Sequence, residues 1–553
     1  MHRCGFSETG SRCMQSGGIG KKIPSSRDRL LLAKRVYKHR SIWYILINEA
    51  AIGDEWREMI EEAVMLKGFN RRVVCPKEHY KKLMEDLSVR AGLLQRQARE
   101  AGMPVVLLFE GIEASGKGTL INRLILSLDP RGFKVHSIVA PTEEERLHPY
   151  LWRFWKRIPP AGGIAVFDRG WYRRVLAERV AGDVKPKVWR RAYDEILAFE
   201  RQLTDAGYVI IKFWLQISSK EQKRRFRELE DDPSTSWRVT KDDWRWHRRY
   251  DDLIAAAEEM IERTSTPNAP WHIIPAKELR SAVVSVYETF NATVDEMLKL
   301  RAVGTTAPQT ISPTARIPDL LARVNLSVRA TEEQYDRELP DLQERLREVE
   351  HTLYRARRPL IIVYEGWDAA GKGGNIKRLV RSMDPRGYEV VPVAAPNDLE
   401  KRYHYLWRFW ISMPKFGHIT IFDRSWYGRV LVERVEGFCS AEEYLRAYRE
   451  INEMEQHLAC EGTIIVKFWL HIDKKEQLAR FKSRESSEMK RWKITPEDYR
   501  NREKWDRYAE AVNEMLYRTN TPHAPWVVVE SNCKYHARLK TMRTIIDEVE
   551  RRL

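Results

Sequence analysis

Long apolar runs are missing from this 553-residue chain: stretches such as Val105 to Phe109 fall far short of the roughly 18 residues of a membrane-spanning helix. Cysteine is scarce. The six present form no C-x-x-C pair, which argues against a disulfide framework and against a structural zinc site. Acidic residues are in deficit, with 79 Asp and Glu against 96 Lys and Arg, a formal charge of +17. The 43% of hydrophobic residues excludes a disordered chain. The expectation is a cytoplasmic protein, not held in a membrane, whose basic surplus meets an anionic partner: nucleic acid, a membrane surface or a phosphorylated substrate.

The chain repeats itself. Asp129-Pro-Arg-Gly132 returns as Asp384-Pro-Arg-Gly387, and Tyr150-Leu-Trp-Arg-Phe-Trp155 as Tyr405-Leu-Trp-Arg-Phe-Trp410. Phe167-Asp-Arg169 returns as Phe422-Asp-Arg424, and Lys212-Phe-Trp-Leu215 as Lys467-Phe-Trp-Leu470. Every pair is 255 positions apart, so two copies of one large domain are expected, at 70–300 and 330–553. The Thr/Pro/Ala-rich stretch 303–320 reads as their linker. Residues 1–60 read as a basic tail, disordered or the product of a misplaced start codon, with a targeting peptide as the alternative; the first 50 hold ten Lys/Arg against three Asp/Glu. Within each copy, short apolar runs (Leu360 to Tyr364, Ile419 to Phe422, Ile464 to Leu470) alternate with helical spacing. That alternation predicts an α/β fold, a doubly wound parallel sheet in each copy, with ligands at the carboxyl ends of the strands.

Directly after its first strand each copy carries Gly-x4-Gly-Lys: Gly111 to Lys117, and Gly366 to Lys372. Glycines at these positions let backbone N–H groups turn toward a phosphate at a helix start, and the lysine reaches the outer phosphates. The next residue is Gly118 or Gly373, not the usual hydroxyl residue that holds Mg²⁺. Metal ligands must therefore come from elsewhere, and Asp368 and Asp423 are the candidates. Their counterparts in the first copy are Glu113 and Asp168.

Together, Glu365-Gly-Trp-Asp-Ala-Ala-Gly-Lys-Gly-Gly374, Asp384-Pro-Arg-Gly387, Tyr405 to Trp410, and Phe422-Asp-Arg-Ser-Trp-Tyr-Gly-Arg429 with Glu433-Arg-Val435 resemble the type 2 polyphosphate kinase family. The resemblance covers nearly everything outside the tail and linker. It implies two tandem P-loop kinase-like domains, each with a helical lid. It also implies transfer of a terminal phosphoryl group from inorganic polyphosphate to a nucleotide with Mg²⁺, or with Mn²⁺ in its place. The tandem form implies AMP as acceptor and ADP as product.

The two copies differ where phosphate chemistry needs charge. The stretch 480–493 holds Arg480, Lys482, Arg484, Lys490, Arg491 and Lys493 against two acidic residues. The aligned stretch 225–238 holds three basic residues against four acidic ones. The second copy is therefore expected to be the catalyst and the first a degenerate relative. Lys372 with Gly366, Gly371, Gly373 and Gly374 would hold the donor phosphates. Asp368 and Asp423 would bind the metal or align AMP, Arg424 and Arg429 would clamp phosphates, and Lys482, Arg484, Arg491 and Lys493 would close over the chain. Asn397 is either a nucleotide contact or a turn residue. The Trp407/Phe409/Trp410 cluster is either a base platform or core, and His404 a phosphate contact or a structural histidine. A homo-oligomer is compatible with the sequence. Two other readings stay open: a nucleoside-monophosphate kinase using ATP, and a nucleic-acid-binding protein, although no standard nucleic-acid motif is present.

Overall fold

The structure is a computed structural model that describes residue 66 and residues 75–303, 317–489 and 491–553. The tail 1–60, linker residues 304–316 and Lys490 lie outside the described residues. Residues Val64–Leu553 form one compact unit.

Ten strands form two sheets. The first contains β1 (Val105–Gly111), β2 (Phe133–Ser137), β3 (Ile164–Asp168), β4 (Val209–Gln216) and β5 (Trp271–Pro275). The second contains β6 (Leu360–Gly366), β7 (Tyr388–Pro392), β8 (Ile419–Asp423), β9 (Ile464–His471) and β10 (Trp526–Glu530). Their orders are β2-β3-β1-β4-β5 and β10-β9-β6-β8-β7, and every pairing is parallel. The chain begins each sheet in the centre and winds outward to both sides, the doubly wound α/β arrangement that the sequence predicts. Central strands are buried on both faces, which is why they read as unbroken apolar runs. Registers agree between copies: Val105 lies opposite Ile164 and Val209, and Leu360 opposite Ile419 and Ile464.

A lysine interrupts the buried run of one strand in each sheet. Lys467 on β9 is fully buried, and its ammonium donates to Glu455 (2.7 Å), the Tyr427 hydroxyl (2.8 Å) and the Thr519 carbonyl (2.9 Å). Lys212 repeats the arrangement with Glu200, Tyr172 and Thr264. All three ammonium hydrogens have acceptors, so the charge is tolerated, although burial pulls both lysines below their usual range.

The two copies pack on each other through equivalent surfaces. Trp155 stacks on its counterpart Trp410 with centroids 5.6 Å apart. Helix Pro186–Asp205 faces helix Ala441–Cys460, bridged by Arg201–Glu453 and by Arg449–Asp205 at 2.8 Å. Arg174 reaches Glu461 at 2.6 Å. Residue meeting equivalent residue is the signature of an isologous contact, here formed within one chain.

Candidate active site

Each central strand ends in a glycine that the sheet requires. A Cβ on Gly366 would lie 2.6 Å from the Leu470 carbonyl oxygen, and φ there is +152°. Gly371, at φ +111°, caps the start of helix Lys372–Leu379. Gly373 and Gly374 have open space where a Cβ would stand, so the first helical turn presents bare backbone. Two non-glycine residues also take left-handed backbone: Ala369 (φ 62°) in the loop and Arg424 (φ 66°) after β8. Ala114 and Arg169 repeat this in the first copy. Such conformations cost about 1 kcal/mol or more each, and surrounding contacts must hold them in place.

Arg480 supplies that hold. Sequence reasoning counts it among the lid cations, but it is buried. Its guanidinium donates to the carbonyls of Ala369 (3.0 Å), Ala370 (3.0 Å), Ser531 (2.6 Å) and Asn532 (3.0 Å). Glu476 pairs with its Nε at 2.6 Å. Arg225 straps the first loop in the same way, through Ala114, Ala276 and Lys277.

Lys372 folds back over the loop and donates to the carbonyls of Gly366 (2.7 Å) and Trp367 (3.3 Å). Burial and the nearby Arg424 press its pKa down, while Asp368, Asp423 and Glu365 oppose them. These charges thus converge on one ammonium. Asp423 ends β8 opposite Tyr364 of β6. Asp368 receives Arg424 at 3.3 Å and the side-chain amide of Asn501 at 3.0 Å. Among the described residues no side-chain hydrogen bond engages the Asp423 carboxylate, so this strand-end oxygen donor is available to a cation. Two carboxylates of this kind form an all-oxygen donor set, which suits Mg²⁺ or Mn²⁺.

A groove of about 420 Å³ runs from the loop between the lid helix Lys474–Glu485 and the last helix, Lys534–Arg552. Five basic residues line it: Arg480, Arg484, Lys493, Lys534 and Arg538. Partial burial lowers the pKa of Arg484, and burial with Arg378 nearby lowers that of Arg538. Cations held together against desolvation favour an anion between them. The aligned residues of the first copy are Leu229, Arg238, Leu279 and Val283 for Arg484, Lys493, Lys534 and Arg538. Lys534 and Arg538 belong to no motif. Only comparison of the copies at the 255-residue offset marks them, through Leu279 and Val283.

Other sequence candidates fall elsewhere. Lys482 is exposed. Arg491 is turned to the lid backbone, its Nε on the Glu485 carbonyl at 3.2 Å. Arg429 pairs with Glu433 at 3.1 Å and lies over the Tyr405 ring, not on the Asp368–Arg424 pair. Asn397 has the turn role: its side chain accepts the Glu400 N–H at 2.9 Å, as Thr142 accepts that of Glu145 in the first copy. Phe409 and Trp410 are buried core, with Trp410 given to the inter-copy stack, and Trp407 stacks on Tyr403 at 4.1 Å. His404 is buried, and its Nδ1 accepts the Leu406 N–H. Asn501 was not identified from the sequence, because a single asparagine in a charged lid helix carries no pattern.

The first site differs in one more respect. Ser425 donates to the buried Glu365 at 2.8 Å. Its counterpart is Gly170, where a Cβ would strike Leu108 at 2.3 Å. Glu113 is drawn to Arg169 and Lys117 instead of an amide.

The family model described as Polyphosphate kinase 2 (PPK2) matches residues 75–302 and 329–553. A Polyphosphate:AMP phosphotransferase of Pseudomonas aeruginosa is 41% identical over 479 residues, 86% of this chain and 96% of that one. One from Acinetobacter johnsonii is 35% identical over 472 residues, covering 84% and 94%. A solved polyphosphate kinase 2 chain from Pseudomonas aeruginosa superposes with a TM-score of 0.77 at 39% identity, covering 87% of this chain and 97% of that one. The chain belongs to the polyphosphate kinase 2 family.

Proposed function

We propose that this protein transfers the terminal phosphoryl group of inorganic polyphosphate to AMP, giving ADP, at the loop of its second copy (330–553). The first copy (70–300) acts as a degenerate partner that packs against it. The observation that carries the reading is the basic groove leading to Gly371 and Lys372, whose cations are largely replaced by aliphatic side chains in the first copy.

In this reading the donor chain lies in the groove, with Arg484, Lys493, Lys534 and Arg538 neutralising its internal phosphates. Lys372 exchanges its two carbonyl partners for oxygens of the outer phosphates, aided by the N–H groups of the helix start. Arg424 faces the transferring group, where a half-exposed guanidinium can follow charge as it shifts. An oxygen of the AMP phosphate attacks the terminal phosphorus. The P–O bond of the terminal anhydride breaks, and its electrons leave with the shortened chain. Asp368 and Asp423 would hold Mg²⁺ or Mn²⁺, which would supply charge neutralisation to the reacting phosphates. A nucleotide acceptor and a magnesium-dependent step suit the cytoplasm. No helix among the described residues is long and apolar enough to cross a membrane.

A product-resolved assay tests the reading. Purified protein receives AMP with polyphosphate, AMP with ATP, or GMP with polyphosphate. ADP formed from the first mixture is the expected result. Activity confined to the ATP mixture would establish the nucleoside-monophosphate kinase alternative instead.

A further inference from the structure

Asp368 is held differently from its counterpart Glu113. Glu113 is surrounded by cations: Arg169 touches it, and Lys117 lies 3.9 Å away. Asp368 has one cation within ion-pair reach, Arg424 at 3.3 Å, with Lys372 acting on it from further off, and one neutral donor, the Asn501 amide at 3.0 Å, on its other oxygen. A neutral donor fixes the direction of a carboxylate without cancelling its charge. Cations do both.

Asn501 lies on lid helix Pro496–Glu503, beyond the basic groove. A carboxylate only accepts hydrogen bonds, so the Asn501 nitrogen must face Asp368. Its oxygen then faces the Tyr508 hydroxyl, 3.5 Å away, and that hydroxyl also lies 3.2 Å from Glu436. Glu436 is nearly buried and is anchored by Lys504 at 2.6 Å. A line of polar groups therefore runs Glu436, Tyr508, Asn501, Asp368, Arg424, from the domain body through the lid to the phosphate loop. Beside it, Trp505 stacks on loop residue Trp367, with centroids 3.8 Å apart and planes 8° from parallel.

The first copy has lost the lid side of the line and keeps only the carboxylate–arginine pair, as Glu113 and Arg169. At the 255-residue offset, Glu436, Tyr508, Asn501 and Asp368 become Ala181, Leu253, Trp246 and Glu113, and Trp367 and Trp505 become Ile112 and Tyr250. The flanking framework is kept. Gln222 and Gln477 each donate to the loop carbonyl beneath the carboxylate, and Thr240 and Thr495 each begin a capping box. Loss of the lid side within a retained framework separates it from general lid structure.

We propose that Asn501 is a positioning residue for the phosphoryl transfer. When the lid is down it sets the direction of the Asp368 carboxylate, so that loop geometry and lid closure are one event. This inference rests on the second copy being the catalytic one. Asn501 acts through Asp368 and touches no substrate.

The test uses the full-length protein with saturating AMP and polyphosphate. Asn501→Ala is expected to lower kcat about 10- to 100-fold, with both KM values changed less than threefold and the melting temperature retained. The split between a lowered kcat and a retained KM, at an unchanged melting temperature, is the readout that a merely structural role would not produce. A kcat for Asn501→Ala within threefold of wild type, or a rise in polyphosphate KM alone, would each overturn the proposal. Lys372→Ala is run alongside. If it retains wild-type activity, the second-copy reading fails. If it is inactive while Asn501→Ala is unimpaired, only the positioning role fails.

Discussion

Arg480→Ala separates two roles for one residue. As a lid cation, Arg480 would bind donor, and its loss would raise the polyphosphate KM without changing stability. As a strap, it satisfies four backbone carbonyls and Glu476 in a buried setting. Its removal leaves those carbonyls and a carboxylate without their charged partner. Breaking a buried pair costs about 3–5 kcal/mol, and water entering the vacated space would bring the loss toward the lower figure. For a domain of this size one kcal/mol corresponds to about 2–4 °C, so the transition should fall by about 6–20 °C, nearer the lower end if water fills the space. The freed Ala369 carbonyl also releases the left-handed loop, and kcat should drop about tenfold even well below the transition. Arg225→Ala is the matched comparison: it removes the strap of the first loop and should cost similar stability with kcat unchanged. Differential scanning calorimetry with steady-state kinetics reads both. A melting temperature within 2 °C of wild type for Arg480→Ala, with only the polyphosphate KM raised, would refute the strap.

Further expectations concern the groove, a buried acid and the copy interface. Replacing Lys534 and Arg538 together by leucine and valine, the types at 279 and 283, should raise the polyphosphate KM at least tenfold and flatten its salt dependence, with the AMP KM held. Glu110, buried beneath the first loop and accepting the Gly170 N–H at 2.8 Å, has its pKa pushed up to about 7, chiefly by burial. A raised carboxyl pKa stabilises the fold below the unfolded value near 4.5 and loses that contribution as pH rises to 7. Glu110→Gln keeps the acceptor, so its melting temperature should match wild type at pH 4.5 and exceed it at pH 8 by up to about 3 kcal/mol equivalent. A uniform loss at both pH values would show that the charge is not the cause. Trp410→Ala removes the stack on Trp155 and should cost about 3–5 kcal/mol, seen as separation of the two copies' calorimetric transitions.

The repeat and the fold class were legible because buried parallel strands are written as apolar runs and the copies hold one offset without gaps. The phosphate loop was legible for the same physical reason: Gly366 lies against the Leu470 backbone, which excludes any side chain. Charge counting pointed to the second copy, where the groove lies, but could not separate Arg480, whose guanidinium is taken up by backbone carbonyls, from Arg484 and Lys493. Basic residues look alike in sequence whether their acceptors are carbonyls or a ligand. Trp410 and Asn397 were ambiguous, and Arg429 was expected on a phosphate, because stacking, capping and ion pairing each need only one neighbour, supplied here by Trp155, Glu400 and Glu433. Asn501 was out of reach and Arg538 is marked only by its contrast with Val283 at the repeat offset, since tertiary packing alone brings the lid and the last helix to the loop.

The central claim is that the second loop performs transfer and the first does not. Lys372→Ala and Lys117→Ala, assayed in parallel for ADP formation from AMP and polyphosphate, test it most directly. The account predicts a loss of about 10²–10³-fold in kcat for Lys372→Ala and a value within threefold of wild type for Lys117→Ala. Retained activity in Lys372→Ala, with loss in Lys117→Ala, would contradict it.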